Sequence, residues 1–218
     1  MDAQNCETGV LFLDELPEYR RDVLEGLRQP MEDGFVTITR ANAQSTYPSQ
    51  FMLICSMNPC PCGNYGSRTQ TCRCSSGEIR RYLNRISGPL LDRIDMHIEV
   101  ESIPPERLAE TTLEESSAQV RERVQRAREV QRARYAGEKI SCNARLDASS
   151  MNRYCALSGA ARAMLMKAGE SMGLSNRAFT RVLKVSRTIA DLAGSEQIEL
   201  NHVAEAVQYR SLDRKYWG

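Results

Sequence analysis

Four apolar residues, Val10-Leu11-Phe12-Leu13, run directly into two carboxylates, Asp14 and Glu15. A short unbroken apolar run is the pattern of a strand buried on both faces, as in a parallel sheet. In open α/β sheets the ligand binds beyond the carboxyl ends of the strands, where Asp14 and Glu15 fall. An acid pair at such an edge suits a magnesium–nucleotide site. One carboxylate serves the metal, often through water, and the other orients the attacking water. The same stretch also fits a core strand that ends in solvated acids. Phe51-Met52-Leu53-Ile54-Cys55-Ser56 is a second run of this kind, and it ends in Met57-Asn58-Pro59. If the two strands are neighbours, Asn58 lies beside the acids, where an amide can orient a water or a phosphate oxygen. An Asn before Pro is also a common turn former.

The 218 residues suffice for one large or two small domains, and 41% hydrophobic with 26% charged is an ordinary globular composition. A net charge of +1 gives no global basic field, so nucleic-acid contact must come from a local patch. No apolar run approaches the roughly 18 residues of a membrane helix. The polar start, Met1-Asp2-Ala3-Gln4-Asn5, is no secretory signal. These features, with four of the eight cysteines clustered beside Pro and Gly, point to a metal site in a reducing cytoplasm rather than a disulfide framework. The chain contains no Gly-Lys dipeptide and so no G-x-x-x-x-G-K-[ST] phosphate loop. Because the acid strand begins so near the start, the expectation is of a fragment whose N-terminal half lies outside this sequence.

Pro17 is suited to begin a helix that Val23, Leu24 and Leu27 continue. After the Asp33-Gly34 turn, Phe35 to Thr39 and Gln44 to Tyr47 read as a hairpin with Arg40 near its tip. It also fits an ordinary edge hairpin with a solvated arginine. Cys60-Pro61-Cys62 and Cys72-Arg73-Cys74 are two close pairs that can supply a tetrahedral structural zinc site; four free thiols in a loop are the alternative. Ser75-Ser76 caps a helix bearing Ile79, Leu83 and Ile86. Met96 to Val100 alternates like a strand. His97 and His202 read as surface or packing residues. Glu106 to about Ala136 is charged and helical, with its arginines interleaved among acids. The last seventy or so residues are helical, with caps expected at Ser149-Ser150, Ser175 and Asn201 and a stop at Gly194. Arg177 falls in the first turn of the longest of these helices. A cation is unfavourable there unless it meets an anion.

Taken together, these segments resemble a known family. Gly9 to Leu16 looks like a Walker B motif and Ser56 to Pro59 like sensor 1. Ser87-Gly88-Pro89-Leu90-Leu91-Asp92-Arg93-Ile94-Asp95 resembles the arginine-finger segment of magnesium-chelatase and MCM-type AAA+ ATPases. Leu174 to Phe179, leading into Arg187 to Leu192, resembles the sensor 2 helix. With the cysteine pairs, the pattern resembles magnesium-chelatase-like AAA+ ATPases of the ComM competence type. That resemblance implies an α/β fold. Residues 1–105 would be the C-terminal part of a parallel-sheet core with a zinc-binding insertion, 106–148 a helical linker, and 149–218 an all-α lid. It implies ATP, with Asp14 serving Mg²⁺, Glu15 the attacking water and Asn58 positioning that water. Arg93 would reach the γ-phosphate of a neighbouring subunit in a homo-oligomeric ring, a hexamer by expectation. Arg177 would contact the nucleotide from the lid, Arg40 would meet DNA in the channel, and Cys60, Cys62, Cys72 and Cys74 would hold zinc. The implied activity is that of a DNA ring motor, a branch-migration helicase of natural transformation. The alternatives are a magnesium-chelatase ATPase subunit and a non-enzymatic oligomerisation or lid module. Without a phosphate loop, this chain on its own is expected to lack ATPase activity.

Overall fold

The computed structural model describes residues 9–40, 43–100, 115–210 and 212. The chain divides into two compact units, with the boundary between Ile94 and Asp95.

In the first unit, β1 (Gly9–Leu13) and β4 (Phe51–Cys55) pair in parallel, with Gly9 opposite Phe51 and Leu13 opposite Cys55. The expectation of burial on both faces is corrected here. Val10, Phe12, Met52 and Ile54 are 43–63% exposed, while Leu13 and Cys55 turn toward a core of Leu16, Leu24, Ile86, Leu90 and Leu91. The reason is layer count: among the described residues only one face of this two-stranded sheet is covered by helices. Pro17 starts only a short 3-10 turn, Leu16–Glu18; α1 (Arg21–Gly26) and α2 (Arg28–Asp33) follow. Gly34 ends α2 at φ +73°, a conformation in which a side chain is strained, and its N–H bonds the Pro30 carbonyl at 2.9 Å. The chain then enters the antiparallel hairpin of β2 (Phe35–Arg40) and β3 (Ala43–Pro48), paired out to Arg40 opposite Ala43. Ser75 caps α3 (Ser76–Leu83) in a reciprocal capping box with Glu78, and Ser87 caps the short α4 (Gly88–Leu91).

The second unit is helical: α5 (Ser117–Arg134), α6 (Ala148–Tyr154), α7 (Gly159–Met172), α8 (Asn176–Leu192) and α9 (Leu200–Gln208). Its core comprises Leu146, Met151, Leu165, Val182, Ala190, Ile198 and Val203 with their neighbours. Ser175 caps α8 as its position suggests, and Gly194 follows that helix at φ +68°. Two expected caps differ. Asp147, not Ser149 or Ser150, caps α6, because its carboxylate accepts from the Ser150 N–H at 2.8 Å. Glu199, not Asn201, precedes α9, and His202 Nδ1 accepts from the Glu199 N–H at 3.0 Å. His202 is thus buried and serves as half of a capping box. Met96 to Val100 forms no strand: among the described residues no strand lies beside it to pair with, although the His97 N–H bonds the Tyr209 carbonyl at 2.7 Å. The charged segment yields α5, while residues 101–114 lie outside the described ones. The first turns of α5 are exposed throughout, and burial begins at Ala127.

Beneath these helices lies a buried polar cluster. Arg134 pairs with Asp191, and Arg187 donates to the same carboxylate at 3.1 Å. Asn143 donates to Asp191 at 2.8 Å and to Thr188 at 3.0 Å. Arg187 is 1% exposed and also donates to the carbonyls of Ser195 and Glu196, closing the end of α8. Every charge here is paired and hydrogen-bonded, the condition under which burying it is tolerable.

Candidate functional site

Parallel pairing of β1 and β4 brings the ends of both strands to one edge of the first unit. The Ser56 N–H donates to Leu13 at 3.0 Å, and Leu16 donates back to the Ser56 carbonyl at 2.9 Å. Asp14 accepts from the Ser56 hydroxyl, while the Glu15 N–H faces both the Ser56 Oγ at 3.3 Å and the Asp14 carboxylate at 3.1 Å. Asp14, Glu15 and Asn58 are exposed, so they are open to a ligand. Glu15 sits at φ 51°, the one described non-glycine residue with positive φ. A left-handed residue with a Cβ costs on the order of 1–2 kcal/mol, and such strain clusters at functional sites. The two acids, with the Ser56 hydroxyl on the Asp14 carboxylate, offer oxygen donors only, the set that suits a hard divalent cation. Ser56 is a member of this edge that the sequence reading left without a role. Its signal was its register, one position past the end of β4.

Asn58 leads straight into the cysteines. The sulfurs of Cys60, Cys62, Cys72 and Cys74 all lie within 4.8 Å of one another, and Cys60 stands 3.4 Å from Cys62 and 3.7 Å from Cys72. A tetrahedral ion with Zn–S bonds of about 2.3 Å needs sulfurs about 3.8 Å apart, so the set fits zinc. These separations exceed any disulfide, and the described cysteines are free. Backbone N–H groups of Arg73 and Asn64 hold the Cys62 thiol down at about 6. Burial, then the neighbouring Cys62 sulfur, pushes Cys74 up to about 12. One thiolate forms readily and its charge resists the next, a repulsion that a bound dication would reverse.

The three arginines lie in different settings. Arg93 is only 6% exposed: it donates to the Pro89 carbonyl at 2.7 Å and pairs with Glu32. Its ion pair thus reaches Glu32, outside its own segment. Nothing local in the sequence announces a partner sixty-one positions away. Arg177 is exposed in the first turn of α8, in the second unit. Arg40 is exposed at the last pair of the hairpin. By register it shares a face with Ile38, Val36 and Tyr47, of which Ile38 and Tyr47 are also exposed. Thr37 and Thr46 meet through their hydroxyls on the opposite face at 3.1 Å.

Residues 2–108 match the family described as magnesium chelatase, subunit ChlI, and residues 114–210 match the C-terminal region of the same subunit. The chain is 50% identical over 94% of its length to the competence protein ComM of Haemophilus influenzae. It is 44% identical over 96% to the uncharacterized protein YifB of Escherichia coli, and 37% identical over 95% to an uncharacterized protein of Mycobacterium bovis. It spans 40% of the length of the first two relatives and 41% of the third. Among the described residues no helix is long and apolar enough to cross a membrane.

Proposed function

We propose that this chain, which belongs to the ComM-type magnesium-chelatase-like AAA+ family, forms the catalytic edge and lid of an ATP-driven ring motor acting on DNA. The observation that supports the reading is the shared strand edge, where Asp14, Glu15 and Ser56 meet beyond a parallel pair and Asn58 follows two residues after Ser56. Asp14 serves Mg²⁺, with Ser56 orienting its carboxylate. Glu15 activates water and Asn58 helps place it. Mg²⁺, when bound with ATP, supplies charge neutralisation at the phosphates. Arg177 contacts nucleotide from the lid, and Arg40 meets the DNA backbone from the hairpin. Arg93 acts on a neighbouring subunit's nucleotide once its guanidinium leaves Glu32. The functional division is 1–105, 106–148 and 149–218. The competence named for the Haemophilus relative supports natural transformation as the setting; the activity proposed there is branch migration by a hexameric, cytoplasmic helicase.

A phosphate loop supplies the N–H cradle and the lysine for the β- and γ-phosphates, and these 218 residues contain none. The chain alone is therefore expected to show no ATP turnover. Activity that survives purification and vanishes in Glu15→Gln would contradict this. The motor reading is tested with this segment joined to the remainder of a full-length relative. ATP turnover should rise with DNA, and Glu15→Gln should abolish it while ATP still binds. The family description also favours a chelatase ATPase subunit. Turnover that answers to a porphyrin and ignores DNA would establish that reading instead.

A further inference from the structure

We propose that the four-cysteine turn is the positioning device for Asn58: by closing the turn, zinc fixes the Asn58 amide at the strand edge it shares with Asp14 and Glu15. Asn58 lies outside any regular element, between the last residue of β4 and the first cysteine. An exposed side chain on irregular backbone has no intrinsic reason to keep one geometry. On its upstream side, Ser56 is stitched to the end of β1 at Leu13 and to the following turn at Leu16 by two backbone bonds. Downstream, Cys60 follows after a single residue, fully buried among the sulfurs.

Two further features relate the cluster to Asn58 itself. The Gly63 N–H bonds the Cys60 carbonyl at 3.0 Å and closes the turn. Gly63 has φ +80°, and the Asn58 amide oxygen lies on the side of it where a side chain would begin, 3.9 Å from the place of a Cβ. Burial pushes the Tyr82 phenol up, and the Asn58 backbone lies near enough to draw it back down in part. Tyr82 belongs to α3, whose capping residue Ser75 directly follows Cys74. One ion would thus tie the Asn58 end of the loop, through Cys60, to the Tyr82 end, through Cys74. Without it, the nine residues from Gly63 to Thr71 form an open loop with no crosslink at its base. The catalytic meaning rests on the proposed role of Asn58, but the mechanical link does not.

The experiment follows the amide signals of the ¹⁵N-labelled chain by nuclear magnetic resonance, with zinc content measured in parallel. Protein purified without added metal should carry about one zinc. Chelation, or Cys74→Ser, should shift the Asn58 backbone and side-chain amide resonances and lower the heteronuclear NOE of the backbone amide toward that of a free loop, as for a segment that has lost a tether. Thr37 and Thr46 in the hairpin should not change. Cys62→His, which keeps a zinc-competent ligand, should retain both the metal and the Asn58 signals. Tyr82→Phe should keep the metal and move only the Asn58 backbone amide. The proposal is overturned by a chain that binds no zinc, or by Asn58 signals indifferent to metal loss. It is equally overturned if metal loss unfolds the whole unit, hairpin included, since the cluster is then a general staple. No readout involves ATP or DNA, so failure of the motor reading would be distinguishable.

Discussion

Arg93 shows how much a single side chain can be asked to do. Its guanidinium is nearly buried and paired with the half-exposed carboxylate of Glu32. Breaking a hydrogen-bonded ion pair of this kind costs about 1–3 kcal/mol. Glu32→Ala should therefore lower the thermal midpoint of the first unit, as followed by circular dichroism; an unchanged midpoint would mean the pair is idle. A finger supplied in trans is typically worth about 10³–10⁵ in rate. In full-length rings, Arg93→Ala subunits should bind ATP without turning it over. Mixing them with Glu15→Gln subunits should restore some activity, because some interfaces then pair an intact Glu15 with an intact Arg93. No rescue in rings shown to contain both would count against the role. The sequence displayed the acid pair, Asn58 and the cysteines because each follows a strand end or a tight spacing. It hid Glu32 and Tyr82, which reach their partners only through packing.

Among the elements, α8 depends most on what is buried beneath it. The Asp191 side chain is wholly enclosed and answers two arginines and an asparagine. Asp191→Ala would leave Arg187 and Arg134 without their counter-charge, a loss of about 3–5 kcal/mol. A denaturation midpoint close to wild type would refute that. The cap of α6 gives a pH signature. Backbone and side-chain donors from Ser150 and Ser149 hold the Asp147 carboxyl at about 2, below its ordinary 3.8. A depressed carboxyl contributes stability above its unfolded pKa and loses it as pH falls toward the folded value. The difference in stability between wild type and Asp147→Asn should shrink between about pH 4 and pH 2; a constant difference would assign the effect elsewhere. Periodicity revealed these helices, yet it misplaced two caps, because Ser, Asp and Asn compete for one role and only backbone geometry selects among them. It also suggested a strand at Met96 to Val100, where alternation is present and a pairing partner is not.

On the scale of the whole molecule, the two units have separate hydrophobic cores. The helical unit, with its own core and buried ionic cluster, should unfold cooperatively when produced alone as residues 115–212. A broad, non-cooperative melt would show that it borrows stability. Fold class was readable at this scale because apolar runs and helical periodicities occupy opposite ends of the chain. The coverage of the sheet was not readable, since a run of apolar residues reports a preference for burial and not what supplies it.

The uncovered sheet face has a consequence in the cell. Val10, Phe12, Met52 and Ile54 stand at alternate positions on two strands, and neither outer edge of that pair is bonded to another strand among the described residues. Exposed apolar side chains beside an open edge are what holdase chaperones grip and what drives one copy onto the next. A segment like this, expressed by itself, should sediment partly as higher assemblies, and Phe12→Lys with Ile54→Lys should return it to the monomer.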